Sequence, residues 1–460
     1  MIAAGVKGMT KILIKNGEII TADDNNEIIY GDLLIENDCI TQIAPQIDAY
    51  HVDQVIEARG KTVIPGFIQT HIHLCQTIFR GQADDMELLD WLKRRIWPLE
   101  AAHDEESNYY SAMLGLGELI QGGTTTIVDM ETVHHTDAAF QAIAASGIRA
   151  LSGKVMMDYG DETPLLLQEN TDDSVQESVD LLEKWHDFDN GRIKYAFSPR
   201  FVISCSEALL TQVRDLSAHY GVHIHSHAAE SSGEIEIVRN RTGMRNVTYL
   251  DYLGLASERL ILAHCIWLDD EEKSIIKDRR VKVSHAPGSN LKLASGIADV
   301  PEMMNQGAKV SLGADGAPCN NNLNMLNEMR LAAGIHKPAH GAAAMNAQTV
   351  FRMATIEGAK AIGMEDEIGS LEVGKKADLS ILDMNDFHVF PSYDVDPVSR
   401  IVYAAAASDV ETTIINGKVI MKNREIKNID KNIVLKEADK SIKRLMRRMP
   451  HIQYVYNEDK

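Results

Sequence analysis

An α/β fold is predicted, a (β/α)8 (TIM) barrel carrying a small β-sandwich assembled from both ends of the chain. Three observations predict it. Eight short apolar strand patterns alternate with longer helical ones between about residues 67 and 362. The first sixty residues and the stretch after 377 are both rich in strand patterns. Each of those outer blocks is punctuated by turn chemistry. A doubly wound sheet is the alternative for the alternating region. At 460 residues the chain has room for one large domain and a smaller one.

Taken in order, the N-terminal strand candidates are KILIKN (11–16), EIITAD (18–23), DLLIEND (32–38), CITQIA (39–44) and HVDQVIEARGKTVIPG (51–66). Asn16-Gly17 and Asn37-Asp38 supply hairpin turns between them. The barrel strands follow: GFIQTHIH (66–73), TTTIVDM (124–130), IRALSGKVMMD (148–158) and RIKYAFSP (192–199), then GVHIHSHAAE (221–230), LILAHCI (260–266), KVSHAP (282–287) and KVSLGADG (309–316). Helical patterns lie between them, at SNYYSAMLGLGELIQGG (107–123), around Asp180 to Trp185, and at SEALLTQVRDLSAHYG (206–221). Strand character returns in ADLSILDM (377–384) and ETTIINGKVIMKNREI (411–426), with a turn at Asn416-Gly417, and a charged helix runs from Asn432 to Arg448. The expected division is 1–66 plus 363–430 for the small domain, 67–362 for the barrel and 431–460 for a helical tail.

Bulk properties exclude more than they identify. Hydrophobic residues make up 45% and charged residues 25%, the balance of an ordinary globular protein. A net charge of -21 argues against nucleic acid or an anionic membrane as partner, because phosphate binding needs a basic surface. Cys39, Cys75, Cys205, Cys265 and Cys319 are scattered without a CxxC, so no disulfide framework is expected. Lys11 and Lys15 interrupt the N-terminal segment, and no uncharged apolar run approaches about 18 residues. A cytoplasmic setting is the expectation.

Four constellations carry chemistry. His71 and His73 are two apart on a strand and therefore share a face, where both imidazoles can reach one ion. Two hydrogen-bonded barrel histidines would give the same pattern, and a chain with 17 histidines makes HxH weak by itself. In GVHIHSHAAE, His223, His225 and His227 alternate, and a barrel places its chemistry at strand C-terminal ends. His227 is therefore the candidate ligand, while His223 and His225 lie deeper as supports. Glu230, at the mouth, is placed to exchange protons with water; a loop carboxylate is the plain alternative. His264 ends LILAH, and Asp315 ends VSLGAD before a turn-like run. Each alone is as easily structural. Together they end separate strands and would make a nitrogen- and oxygen-lined metal site with room for water.

PGFIQTHIH, the H-x-x-E of His227 to Glu230, LAHC, HAPGSNLKLASG (285–296), LGADGAPCNNN and EIGSLEVGKKADLSILD (367–383) resemble the amidohydrolase superfamily along nearly the whole chain. Within it they resemble the deaminase and chlorohydrolase branch, which holds adenine-nucleoside deaminases, guanine deaminases and triazine hydrolases. The stretches 71–104 and 150–161 are most similar to its 5'-deoxyadenosine-deaminating members. The resemblance implies His71, His73, His227 and Asp315 as metal ligands and Glu230 as proton carrier. It also implies His264 beside the reacting centre, with Asp315 helping to deprotonate water. No lysine ends RIKYAFSPR, Lys194 lying near its start, so the resemblance implies one divalent transition metal rather than two, Zn2+ foremost with Fe2+ or Mn2+ compatible. Glu100 in WPLE matches a ribose-binding position and Arg149 another substrate contact, but Phe197 stands where relatives carry a histidine. Gln76 and Arg200 resemble base-reading residues of guanine deaminases. The implied function is hydrolytic deamination of an adenine nucleoside such as 5'-deoxyadenosine, methylthioadenosine, S-adenosylhomocysteine or adenosine. A guanine or aminotriazine hydrolase is the second reading and a non-catalytic scaffold the third. The implied partner is a small aminated purine, and the implied assembly a homo-oligomer.

Overall fold

The structure is a computed structural model that describes residues 10–160 and 163–453. Five N-terminal strands, Lys11–Ile20, Ile28–Glu36, Cys39–Ala44, Gln54–Glu57 and Thr62–Pro65, join four C-terminal ones in a nine-stranded sheet. The latter are Leu379–Leu382, Val410–Ile415, Lys418–Lys422 and Glu425–Ile426. The two ends of the chain meet where Thr62–Pro65 runs antiparallel to Leu379–Leu382. Alternate residues such as Ile12, Ile14, Leu33, Ile35, Leu379 and Ile381 fill one buried cluster, the period of two expected of a half-covered sheet.

The pairings of both terminal blocks run through one continuous sheet. One sequence expectation needs correction here. Asn16-Gly17 is not a hairpin turn. Both residues lie inside Lys11–Ile20, where the register shifts between Ile14 and Gly17 and Asn16 takes φ +60°. An Asn-Gly pair serves a bulge as readily as a turn, because both residues tolerate positive φ. The other two turns are as expected. Glu36 pairs with Cys39 around Asn37-Asp38, and Ile415 with Lys418 around Asn416-Gly417, both of which have positive φ.

The barrel strands fall on all eight candidates: Phe67–Ile72, Thr124–Met130, Arg149–Gly153, Ile193–Tyr195, Ile224–Ala228, Leu260–His264, Lys282–His285 and Lys309–Leu312. They pair in parallel as two four-stranded sheets. One seam is bridged by Phe197 to Ile224 and Phe201 to His227. At the other, the Asp315 N–H donates to the His71 carbonyl at 3.0 Å. Strands such as Thr124–Met130 and Ile224–Ala228 are buried throughout, as parallel strands between helices must be. Beneath the mouth, Thr70, Ser284 and Ser311 satisfy one another by hydroxyl bonds of 2.7 and 2.8 Å.

Helices Glu105–Gln121, Thr171–Trp185 and Glu207–Tyr220 occupy the predicted stretches, capped by Asp104, Asn170 and Ser206. The tail helix Lys431–Arg448 buries Val434, Ala438, Ser441 and Leu445, one stripe at helical spacing. Arg448 pairs with Asp104 at 2.8 Å. Among the described residues no helix is long and apolar enough to cross a membrane.

Candidate active site

Alternation along Phe67–Ile72 and its exit sends His71 and His73 to one side, where both meet Asp315 from the last barrel strand. His71 Nε2 lies 3.3 Å and His73 Nε2 3.4 Å from Asp315 Oδ1. His227, from the fifth strand, brings its Nε2 to 3.3 Å from that of His73, with the two rings nearly parallel. His71, His73 and His227 form one group of convergent ligand atoms, and His71, His264 and Asp315 form another.

Proton positions follow from the partners behind the rings. His73 Nδ1 lies 2.7 Å from the Met130 carbonyl and His227 Nδ1 2.7 Å from the Arg200 carbonyl. A carbonyl only accepts, so each Nδ1 carries the proton and each Nε2 is left with a lone pair. Two lone pairs therefore face each other at 3.3 Å, with Asp315 alongside. His71 Nε2 is likewise buried without a satisfactory hydrogen bond, while its Nδ1 contacts His225 Nε2 at 2.9 Å. A metal cation between these donors relieves the arrangement. A tetrahedral ion with metal–nitrogen bonds of about 2.0–2.1 Å separates its donors by about 3.3–3.4 Å, so the donor set fits one. Burial holds the His71, His73 and His227 imidazoles below their ordinary pKa, His73 at about 3, so they stay neutral as ligation requires.

Around this cluster stand the proton-handling groups. Glu230 Oε2 lies 3.5 Å from His264 Nε2, which is 3.8 Å from Asp315 Oδ2. Burial pushes the Glu230 carboxyl up to about 7. Burial would lower His264, but the Glu230 and Asp315 carboxylates reverse that and raise it. Ala229, His264 and Asp315 all have positive φ, +54°, +71° and +63°, the clustering of backbone strain that functional sites display.

Sequence reasoning missed the groups that hold these side chains. Asn290 Oδ1 sits 2.8 Å from His264 Nδ1, Ser289 Oγ donates to Asp315 Oδ2 at 2.6 Å, and Ser295 Oγ reaches Glu230 Oε1 at 3.5 Å. All three belong to the 285–296 run, which the family resemblance marks without assigning roles. Leu88, Trp91, Leu92 and Leu293 roof the pocket, a feature without any motif. Leu92–Ile96 is a π-helical turn set between helical Leu88–Trp91 and Trp97–Ala101.

The substrate candidates separate. Gln76 and Arg200 line the pocket. Glu100 stands behind them, accepting from Arg200 at 2.5 and 3.2 Å and from Gln76 Nε2 at 2.8 Å. Gln76 Oε1 stays buried without a partner. Arg149 is not in the site, which corrects the expectation. It opens its strand, at the end of the barrel away from the mouth, and pairs with Asp378 at 2.7 and 3.2 Å and with Asn416. His225 supports His71, whereas His223 precedes its strand and lies at the closed end. Lys194 pairs with Asp187 at 2.8 Å, away from the cluster.

Fold and site together define the class, an α/β-barrel enzyme with its polar cluster at the strand C-termini. Residues 62–420 match the amidohydrolase family. A 5'-deoxyadenosine deaminase of Methanobrevibacter smithii is 41% identical over 94% of this chain and 98% of its own. A 5-methylthioadenosine/S-adenosylhomocysteine deaminase of Thermococcus onnurineus is 40% identical over 90% and 95%. The crystal structure of an adenosine deaminase from Xanthomonas campestris with bound zinc has TM-score 0.89 and 30% identity, covering 95% of this chain and 99% of that one. The chain belongs to the amidohydrolase family and has its α/β TIM-barrel fold, as the sequence resemblance implied.

Proposed function

We propose that the protein is a metal-dependent aminohydrolase that converts an adenine nucleoside and water into the inosine analogue and ammonia. The observation that carries this reading is the pair of facing imidazole lone pairs beside Asp315, with Glu230 and His264 against the same pocket. The names of the relatives supply the substrate class, and 5'-deoxyadenosine is the preferred member. His71, His73, His227 and Asp315 would hold one divalent cation, with zinc favoured by the donor set and by the zinc in the Xanthomonas structure. Bound there, the cation lowers the pKa of water to about 7 and so supplies a nucleophile at neutral pH.

The chain's own residues do the rest. Glu230 takes a proton from the attacking water and returns it to the departing amino nitrogen. Asn290 fixes the His264 ring, whose Nε2 faces Glu230 and Asp315 and donates to the oxygen being added. Ser289 holds the outer oxygen of Asp315. Arg200 and Gln76, tethered by Glu100, form the wall that reads the ring and sugar. Excluded water and fixed donors make these contacts stronger than in bulk solvent. The reading includes a cytoplasmic setting and a homo-oligomer, which light scattering on the eluting protein checks.

Ammonia release from 5'-deoxyadenosine, methylthioadenosine, S-adenosylhomocysteine, adenosine and guanine, measured in parallel on metal-replete protein, tests the proposal. Turnover of adenine nucleosides is expected. Turnover of guanine alone would overturn it.

A further inference from the structure

Glu234 does not touch the pocket. It lies in the first turn of Ser232–Thr242, the helix that follows Glu230. An acid there ordinarily faces solvent, where the helix dipole favours it. Glu234 is instead 1% exposed, and its carboxylate turns back along the chain. Oε2 accepts the backbone N–H of Glu230 at 2.8 Å, and Oε1 accepts from Asn246 Nδ2. Asn246 opens the next helix, Asn246–Tyr252, and its own Oδ1 is buried without a partner.

The helix start explains only part of this arrangement. Ser231 already caps it, accepting from the Glu234 N–H at 3.2 Å. The Ser231-to-Glu234 spacing is that of a capping box, in which the acid accepts the cap residue's own N–H. Here the acid's 2.8 Å bond goes one residue further back, to the amide of Glu230, with the Ser231 and Ala229 amides also turned towards its carboxylate. The Glu230 amide follows Ala229 at φ +54°, whose carbonyl accepts from Ile266 and Trp267 at 3.0 and 2.9 Å. The left-handed turn carrying Glu230 is thus clamped from the sixth strand's exit on one side and by Glu234 on the other.

We propose that Glu234 is a positioning residue for Glu230, fixing the backbone from which the proton-carrying side chain reaches His264. This rests on the deaminase reading above. A reacting group displaced by about 1 Å costs on the order of 10²-fold in rate. Glu234→Ala therefore lowers kcat by about that factor while KM changes less than about threefold and bound metal is unchanged. Glu234→Gln keeps most activity, because its amide oxygen accepts the Glu230 N–H and Asn246 can turn its unpartnered Oδ1 to the new NH2 group. Glu234→Asp, shorter by one methylene, withdraws from the Glu230 amide and loses kcat like alanine. It serves where Glu234→Ala does not fold.

A double-mutant cycle with Glu230→Gln decides the matter, read as kcat, KM and bound zinc on purified full-length protein. If Glu234 acts through Glu230, the double variant is no slower than Glu230→Gln alone. Losses that multiply, or a loss in Glu234→Gln as large as in Glu234→Asp, would overturn the proposal. Full turnover by Glu230→Gln itself would instead sink the proton-carrier reading on which it rests.

Discussion

Replacing Arg149 separates a structural role from the substrate role that resemblance implied. Its guanidinium is 2% exposed, grips Asp378 through two nitrogens and reaches Asn416, so one side chain ties the base of the barrel to the terminal sheet. Asp378 Oδ1 also accepts the Asn416 N–H at 2.6 Å. Arg149→Ala strands a buried carboxylate with one backbone donor in place of a bidentate cation. Breaking such a buried pair costs about 3–5 kcal/mol, far beyond the 0–1 kcal/mol of an exposed one. For a chain of this length, an unfolding entropy of about 2.1 cal/mol/K per residue turns that into a drop of about 3–5 °C in Tm. Calorimetry gives the shift, and kcat/KM for 5'-deoxyadenosine gives the function. The expected outcome is a lower Tm with kcat/KM within about threefold of the parent. A tenfold loss of kcat/KM at unchanged Tm would refute the structural assignment and return Arg149 to the substrate.

Three other perturbations follow from the geometry. His225→Ala removes the partner of His71 Nδ1 and should weaken metal affinity about 10–100-fold, with activity restored at excess metal; titration against a competing chelator measures it, and unchanged affinity would count against the support role. Burial would raise the Asp104 carboxyl, but the Ser107 N–H and Arg448 bring it down to about 2. A lowered carboxyl stabilises the fold above its unfolded value of about 3.9, and that contribution disappears as pH falls through about 2. Asp104→Asn should therefore lower stability at pH 7 and flatten the profile across that window, leaving it unchanged below about pH 2, as acid-titrated unfolding would report. Finally, the pocket holds about 20 Å³, space for a water but not for a nucleoside, which needs roughly 300 Å³ or more. The roof over Leu88–Ile96 must open, so amide exchange there should slow about tenfold when a slow nucleoside analogue binds; no change would mean that substrate enters elsewhere.

What the sequence made legible divides by the kind of signal each feature leaves. Barrel strands are continuous apolar runs between helical patterns, and all eight were readable because burial on both faces dictates that composition. His71, His73, His227, Glu230, His264 and Asp315 were readable because two-residue alternation and strand-end position are one-dimensional properties. The Asn16 bulge was misread, since the turn and the bulge ask the same of the residue. Arg149 was misplaced for a related reason. Resemblance of a short string carries no information on which end of a strand faces the mouth, whereas the strand's first residue must face away from it.

The deepest gap concerns tautomers, and it has a structural cause. Two imidazoles in the cluster are oriented by main-chain carbonyls of neighbouring strands, Met130 behind His73 and Arg200 behind His227. A carbonyl is common to every residue type, so neither support leaves a trace in the amino-acid string. Parallel register supplies them: Phe201 bridges to His227, and the Arg200 carbonyl also accepts the His227 N–H at 3.0 Å. The barrel's pairing therefore sets which ring nitrogen is left bare, before any side chain contributes. Arg200 acts twice in consequence, through its carbonyl on His227 and through its guanidinium on Glu100. Substitution at that position removes only the second action, because the first belongs to the backbone. The proposed ion site and the proposed substrate wall thus share a residue yet rest on different atoms, and on that reading specificity can change there while His227 keeps its protonation.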